Sequence, residues 1–311
     1  MLRHRLSVVH ARSYPPALIG LMVKSLFGPK LLFDMRGLWA DERTDGGLWP
    51  VGGRLYRAVK WIERLLLRRS DHIVTLTDSS KALIEDFPYL RAIDHAPISV
   101  ITTCADLDRF RPGEGPRPST FTLGYVGSLG TWYMFDEVML AFRAVLERRP
   151  DARLRIVNRN EHPYIRDKLA KHGIDPNLVT IRAADHLGVP AEIAAMTAGT
   201  AIIKPVYSKI ASAPTKLAEY LGCGIPCLGT VGVGDMAAIL EGERVGVALE
   251  DLGHAGIAAG VDRLLALCED PGLAARCRSV AEQHFSLDTG AQQYRDIYNR
   301  LFDRAGSVGN P

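Results

Sequence analysis

Residues 208–230 read SKIASAPTKLAEYLGCGIPCLGT, a polar approach that turns into a short helix and then into a buried strand. Pro214 stands where a first helical turn begins, and residues 215–221 carry the helix. Gly222 and Gly224 stop it, and Pro226 keeps it from resuming. Residues 225–229 then read as a short strand. Lys216 is the informative residue. A helix N-terminus carries partial positive charge, so a cation there costs roughly 0.3–1 kcal/mol at an exposed site. The placement makes sense when an anion sits before the helix, held by free backbone N–H groups and by the ammonium. Glu219 lies one turn deeper on the same face, and with Lys216 three residues before it, it is not a capping-box acid. Phosphate at the helix mouth and a carboxylate one turn in, able to accept from ribose hydroxyls, describe a nucleoside diphosphate site. A surface lysine with a glutamate compensating the dipole reads equally well from the helix alone.

Outward from that helix the chain alternates strand and helix. Residues 121–126, 153–157, 178–181 and 201–203 read as strands, with helices at 134–148, 163–172 and 189–197 between them. The first of these helices has apolar positions at Phe135, Val138, Met139, Phe142, Val145 and Leu146. Gly127-Ser128-Leu129-Gly130 is a tight loop after the first strand. Further helices at 235–240, 257–268, 273–284 and 289–302 close the chain. The N-terminal part repeats the pattern, with strands at 6–11, 30–35, 72–76 and 98–102 and helices at 15–27, 54–69 and 79–86. A glycine-bearing, polar and aromatic loop over 36–49 follows its second strand, where open α/β sheets keep their ligands. Such alternation means parallel, doubly wound sheets. Residues 104–112 have no strong periodicity, and the Pro- and Gly-rich residues 113–119 make the best linker. The expected division is an N-terminal domain at 1–118, a second domain at 119–285 and a final helix at 286–311.

Composition narrows the function classes. With 311 residues, 47% hydrophobic and 23% charged, the chain fits a globular α/β protein with room for two domains. A net charge of +3 is too small to imply nucleic acid. Basic residues do cluster at Arg54–Arg69 (RLYRAVKWIERLLLRR), an amphipathic helix that can lie on an anionic membrane surface or present a solvated face over a core. Of five cysteines, Cys223 and Cys227 alone are close in sequence; lacking partner ligands they read as packing residues, and no metal is expected. The odd count without a signal peptide points to a reducing cytoplasm. No apolar run reaches membrane-spanning length.

Two Rossmann-like halves in series, CADLDRFRP at 104–112, GYVGSLG at 124–130, the run KPVYSKIASAPTKLAEYLGCGIPCL and the closing FSLDTGAQQYRDIY together resemble the retaining GT-B glycosyltransferases of family 4. The likeness spans nearly the whole chain, and Ser-x-Pro-Thr-Lys-x-x-Glu-Tyr carries it more specifically than Gly127-x-x-Gly130 does. It implies two parallel sheets facing a cleft and a last helix that crosses back to the N-terminal domain. It also implies transfer of a sugar from a nucleoside diphosphate sugar to a sugar, lipid-linked or glycan acceptor, with no cofactor, in the cytoplasm or peripherally on the inner face of the membrane.

The resemblance assigns residues as well. Glu219 matches the second glutamate of the family's Glu-x7-Glu pattern, which holds the donor ribose. The first falls at Ala211, leaving that contact to backbone and to Ser212. Lys216 and the N–H groups that follow Pro214, at Thr215 and Lys216, face the diphosphate. Gly127, Ser128 and Leu129 match the family's Gly-Arg-Leu turn. The lysine that commonly follows is absent, and Lys204, Arg159 or Lys209 replaces its charge, with Lys204 preferred. Asn158 and Arg159 on one loop, and Ala184 and Asp185 on another, frame the nucleobase. The family's N-terminal histidine has no counterpart, and Arg36 stands in its place, with Asp34 beside it ordering acceptor or sugar. Asp41, Glu42 and Asp45 read as a solvated loop. His10 and His186 are ligand-side candidates that also read as hydrogen-bonded structural histidines.

One departure from the family bears on activity. The chain enters at what corresponds to the family's fourth strand, so about 60–80 residues, about two βα units, are expected to be missing from the first domain. Two rivals to the transferase follow: a truncated, non-catalytic paralogue that binds nucleotide or a partner, and another GT-B enzyme such as a nucleotide-sugar epimerase. The epimerase calls for an acid–base set that the sequence does not assemble.

Overall fold

The computed structural model describes residues 6–113, 115 and 119–306. It divides into two compact units: Met1–Thr102 with Val206–Ala213 and Asp288–Pro311, and Thr103–Pro205 with Pro214–Leu287.

The first unit holds four parallel strands in the order β1 (Val8–Arg12), β2 (Lys30–Asp34), β3 (His72–Thr75) and β4 (Ile98–Val100). β2 and β3 are buried on both faces, as parallel strands under helices must be. On one face α1 (Tyr14–Phe27), α3 (Arg54–Arg69) and α4 (Asp78–Glu85) supply a core that includes Tyr14, Ala17, Leu66, Leu67 and Ile84. Thr77 caps α4 by accepting from the Ser80 N–H at 3.0 Å. On the other face Ile297 and Leu301 of α13 (Leu287–Gly306) pack on Leu32, Val74 and Ile101. The expected loop over 36–49 contains α2 (Trp39–Asp45), with Asp41 and Glu42 in its first turn, where carboxylates suit the helix dipole. A one-turn helix, α5 (Pro88–Arg91), precedes β4.

The second unit holds six parallel strands in the order β10-β9-β8-β5-β6-β7. They are β5 (Thr122–Val126), β6 (Arg153–Val157), β7 (Val179–Arg182), β8 (Ala198–Ala201), β9 (Cys227–Thr230) and β10 (Gly246–Leu249). The helices are α6 (Phe135–Arg148), α7 (His162–Lys171), α8 (Val189–Ala194), α9 (Thr215–Gly222), α10 (Met236–Gly242), α11 (His254–Cys268) and α12 (Leu273–Phe285). The chain leaves β5 toward β6 on one side and returns as β8 on the other. The carboxyl ends of β5 and β8 are therefore the switch point of a doubly wound sheet, the place such sheets offer a ligand.

Two sequence expectations need correction, and one strand was missed. The strand expected at 201–203 is Ala198–Ala201, because Gly199 leaves the room that the Tyr220 ring fills; a Cβ there would stand 2.6 Å from that ring. β10 escaped notice in the sequence. The unit boundary falls at Thr102/Thr103 rather than at 118. Ala105 pairs with Ser286, Leu107 and Phe110 join the second unit's core, and Arg278 donates to the carbonyls of Leu107 and Phe110 at 2.8 Å each. Residues 114 and 116–118 of the expected linker lie outside the described residues.

Candidate functional site

In the second unit the site grows from the end of β5. Gly127 follows it with φ +116°, a backbone that L side chains rarely adopt. The turn is pinned from two sides. The Tyr220 hydroxyl accepts from the Val126 N–H at 2.9 Å, so the motif tyrosine of α9 fixes where the strand stops. Asn158 donates to the Gly127 carbonyl at 2.9 Å and to Glu161 at 2.7 Å, while Glu161 also accepts from the Leu129 N–H at 2.9 Å. Asn158 and Leu129 thus act by fastening loops. Glu161, which sequence reasoning passed over, ties them together; its position three residues after Asn158 was the available signal.

Those loops enclose a pocket of about 500 Å³ lined by Gly127, Ser128, Asn158, Arg159, Ala184 and Val189, among others. Five of the residues expected to bind donor therefore meet in one cavity. Asp185 instead organises its own turn, accepting from the N–H groups of Leu187 and Gly188.

Lys216 enters from the first turn of α9. That helix starts after Pro214 without a side-chain cap and with no acidic residue in its first turn, and Thr215 is exposed there. Lys216 is 6% exposed, and its Nζ has no hydrogen-bond partner among the described residues. The ammonium lies 3.8 Å from the Tyr133 ring centroid and 4.3 Å from that of Tyr125. A Cβ on Gly127 would stand 3.5 Å from Nζ, which places the lysine directly behind the glycine turn. Burial lowers the Lys216 pKa from 10.5 to about 7 against the opposing pull of Cys227 and Glu219. Burial raises the Glu219 carboxyl, and His186 and Lys216 oppose that rise. A buried cation without a hydrogen-bond partner is an expensive arrangement even between aromatic faces, and an incoming anion relieves it. Tyr125 and Tyr133, absent from the sequence-level site, supply the aromatic faces. Lys204 follows the switch-point strand; its side chain is exposed, and its N–H donates to the Trp132 carbonyl at 2.9 Å. His186 is exposed. Cys223 and Cys227 are buried free thiols, each pushed up to about 12 by burial. Among the described residues no cluster of three or more His, Cys, Asp or Glu could hold a metal.

The first unit carries its own cluster at the strand ends. Asp34 is buried at the end of β2; Tyr294 of α13 donates to its Oδ2 at 3.1 Å, while Oδ1 has no hydrogen-bond partner among the described residues. His10 Nδ1 and the Tyr298 hydroxyl are 2.7 Å apart, so His10 is tied down by α13. Arg36 is half-buried and left-handed at φ +63°, a strained backbone for a side chain of its size. The carboxylates of α2 are committed rather than solvated. Asp41 accepts from Tyr56 at 2.9 Å and Lys60 at 3.0 Å, Glu42 accepts from Lys209 at 3.0 Å, and Asp45 from the Ser208 N–H at 2.8 Å. Lys209, expected to bind donor, is therefore held by Glu42. Ser212 belongs to the same short segment as Lys209 and donates its N–H to the Lys209 carbonyl at 3.0 Å.

Comparisons with known proteins fit this geometry. Residues 1–101 match the family model described as glycosyl transferase 4-like domain. The D-inositol 3-phosphate glycosyltransferase of Kribbella flavida is 25% identical over 298 residues, covering 89% of this chain; the chain spans 66% of that relative's length. Sucrose-phosphate synthase from Thermosynechococcus elongatus superposes with a TM-score of 0.74 at 17% identity, over 96% of this chain and 74% of that one. HepE of Anabaena, solved with UDP-glucose, superposes with a TM-score of 0.68 at 14% identity, over 94% and 79%.

Proposed function

We propose that the chain, whose fold is that of GT-B glycosyltransferases and whose first 101 residues match the glycosyl transferase 4-like domain, moves a sugar from a nucleoside diphosphate sugar to an acceptor hydroxyl with retention of configuration. The observation that carries the reading is the buried, unpartnered ammonium of Lys216 behind the Gly127 turn. As the glycosidic bond breaks, the diphosphate gains charge, and preorganised donors aimed at it lower the barrier. Lys216, the uncapped N–H groups at the start of α9 and, from the strand end, Lys204 are those donors. Glu219 accepts from the ribose, and the pocket between the turn and the Asn158–Arg159 loop takes the base. In the first unit Arg36 and Asp34 serve the acceptor or the transferred sugar, Asp34 through the carboxylate oxygen that Tyr294 leaves unbonded. The proposed reaction uses no metal. The acceptor is a sugar, a glycan or a lipid-linked sugar, and the free cysteines suit a reducing cytoplasm.

Isothermal titration of the full chain with UDP and with GDP, in the presence of a chelator, tests this reading. UDP comes first because the Anabaena neighbour was solved with UDP-glucose. Binding of one nucleoside diphosphate without metal, followed by sugar transfer from the matching donor, is the expected result. A folded protein that binds neither nucleotide would overturn it.

A further inference from the structure

The charges of α3 are sorted by the fold. Its one acid, Glu63, is fully buried and accepts from the Tyr14 hydroxyl at 2.7 Å. Its one lysine, Lys60, turns inward to Glu63 and to Asp41. Its arginines, Arg54, Arg57, Arg64, Arg68 and Arg69, are all exposed and have no ion-pair partner among the described residues, Arg64 standing 5.4 Å from the Tyr89 ring centroid. Positions 54, 58, 61, 65 and 68 follow one another at helical spacing along the outer face. That row runs Arg54, Ala58, Trp61, Leu65, Arg68, with Trp61 64% exposed. Leu48, Val51 and Leu55 stand exposed just before and at the start of the helix, Val51 at 89%.

Beside this row lies a shallow cavity of about 390 Å³ lined by Trp61, Arg64, Leu65, Arg68, Arg69 and Ile93. Three guanidinium groups round an indole can fork onto phosphate oxygens while the ring meets hydrocarbon. Asp94, next to Ile93 in sequence, is exposed, and Asp71, just past Arg69, is taken up by Lys24 and Lys30. Two opposing physical demands are met on one face. Exposed apolar side chains want an apolar medium, and five uncompensated arginines want anions. A bilayer surface with anionic headgroups supplies both within a few ångströms of depth. A nucleic acid supplies phosphates but gives Leu48, Val51 and Leu55 nothing apolar to enter.

We infer that the outer face of α3, with its leading loop, docks on a lipid surface that carries anionic phosphate headgroups, one headgroup seating in the Trp61–Arg64–Arg68–Arg69 cavity. The inference needs no nucleotide and stands apart from the transferase reading.

Co-sedimentation of the full chain with phosphatidylcholine vesicles, and with vesicles of phosphatidylcholine mixed with phosphatidylglycerol, tests it. Binding to the mixed vesicles alone is expected, falling with added salt. Each arginine near the surface is worth about fivefold in partitioning, so the R64E/R68E double variant should bind at least about 25-fold more weakly. The bound protein should show a blue-shifted indole emission that Trp61→Phe abolishes. These side chains are exposed and only Arg64 gives up a contact, its stacking on Tyr89, so thermal melts of the variants should stay close to the parent and separate lost docking from lost folding. Equal binding to neutral vesicles, equal binding by the double variant, or binding of duplex DNA or RNA without vesicle binding would each overturn the assignment.

Discussion

Replacing Lys216 by methionine should stabilise the unliganded protein while weakening its hold on nucleotide. The lysine's pKa falls from 10.5 to about 7 in the folded chain. At about 1.4 kcal/mol per unit, that drop amounts to a folding cost of about 4–5 kcal/mol at neutral pH. The Tyr133 and Tyr125 faces return about 2 kcal/mol of it through cation–π attraction. Methionine keeps the length, removes the buried charge and packs well against aromatic rings. The net gain is thus about 2–3 kcal/mol, which for a unit of this size raises the melting temperature by about 4–12 °C. The sign follows from proton binding. The unfolded lysine holds its proton up to pH 10.5, the folded one only to about 7, so the cost is complete below pH 7 and shrinks as pH rises from 7 to 10.5. The variant's advantage should shrink over the same interval. Nucleotide binding moves the other way: losing a charge-assisted bond should weaken UDP or GDP binding by about 10- to 150-fold. In the parent protein, affinity should fall as pH rises above about 7, where the free lysine loses its proton. Thermal melts over that pH range, paired with titration calorimetry, read both effects. A variant that melts lower and binds nucleotide as well as the parent would make Lys216 a structural residue and remove it from the site.

Further outcomes follow from the same geometry. Glu219→Gln should impair nucleoside diphosphate binding while leaving inorganic pyrophosphate binding nearly unchanged, as competitive titration would show; equal loss for both ligands would take Glu219 away from the ribose. Gly127→Ala forces a side chain into φ +116° and toward the Lys216 ammonium. It should lower stability by about 1–3 kcal/mol and reduce nucleotide affinity, measured by denaturant titration and calorimetry. Tyr220→Phe removes the acceptor of the Val126 N–H and should destabilise the second unit by about 1–3 kcal/mol, an unchanged denaturation midpoint being the contrary result. Lys60→Met leaves Asp41 and buried Glu63 without their cation. With Lys60 partly solvated, the expected loss is about 2–4 kcal/mol, and a chemical melt with no loss would show that the carboxylates find other partners.

Much of this protein was legible in its sequence, and the legible part rests on local chemistry. Alternating apolar runs and helical spacing gave the two parallel sheets, because burial on both faces leaves a near-continuous apolar strand. The glycine turn after β5 and the lysine at the start of α9 stood out for the same reason. Positive φ and an uncapped helix start are properties of a few consecutive residues. What neighbours do to one another across the fold stayed hidden. Nothing in SKIASAP tells that Val206–Ala213 joins the first unit, since that follows from hydrogen bonds to Asp45, Glu42 and Thr77, 133 to 167 residues away. The same contacts turned Lys209 from a free cation into an ion-pair partner and made an acidic loop into a helix with its carboxylates engaged. Tyr125 and Tyr133 became the walls of the lysine's chamber, and Glu161 the tie between two loops. Sequence sets which groups can hydrogen-bond, carry charge or bury area. The tertiary fold alone decides which of them meet, and so which charges are left unpaired for a ligand.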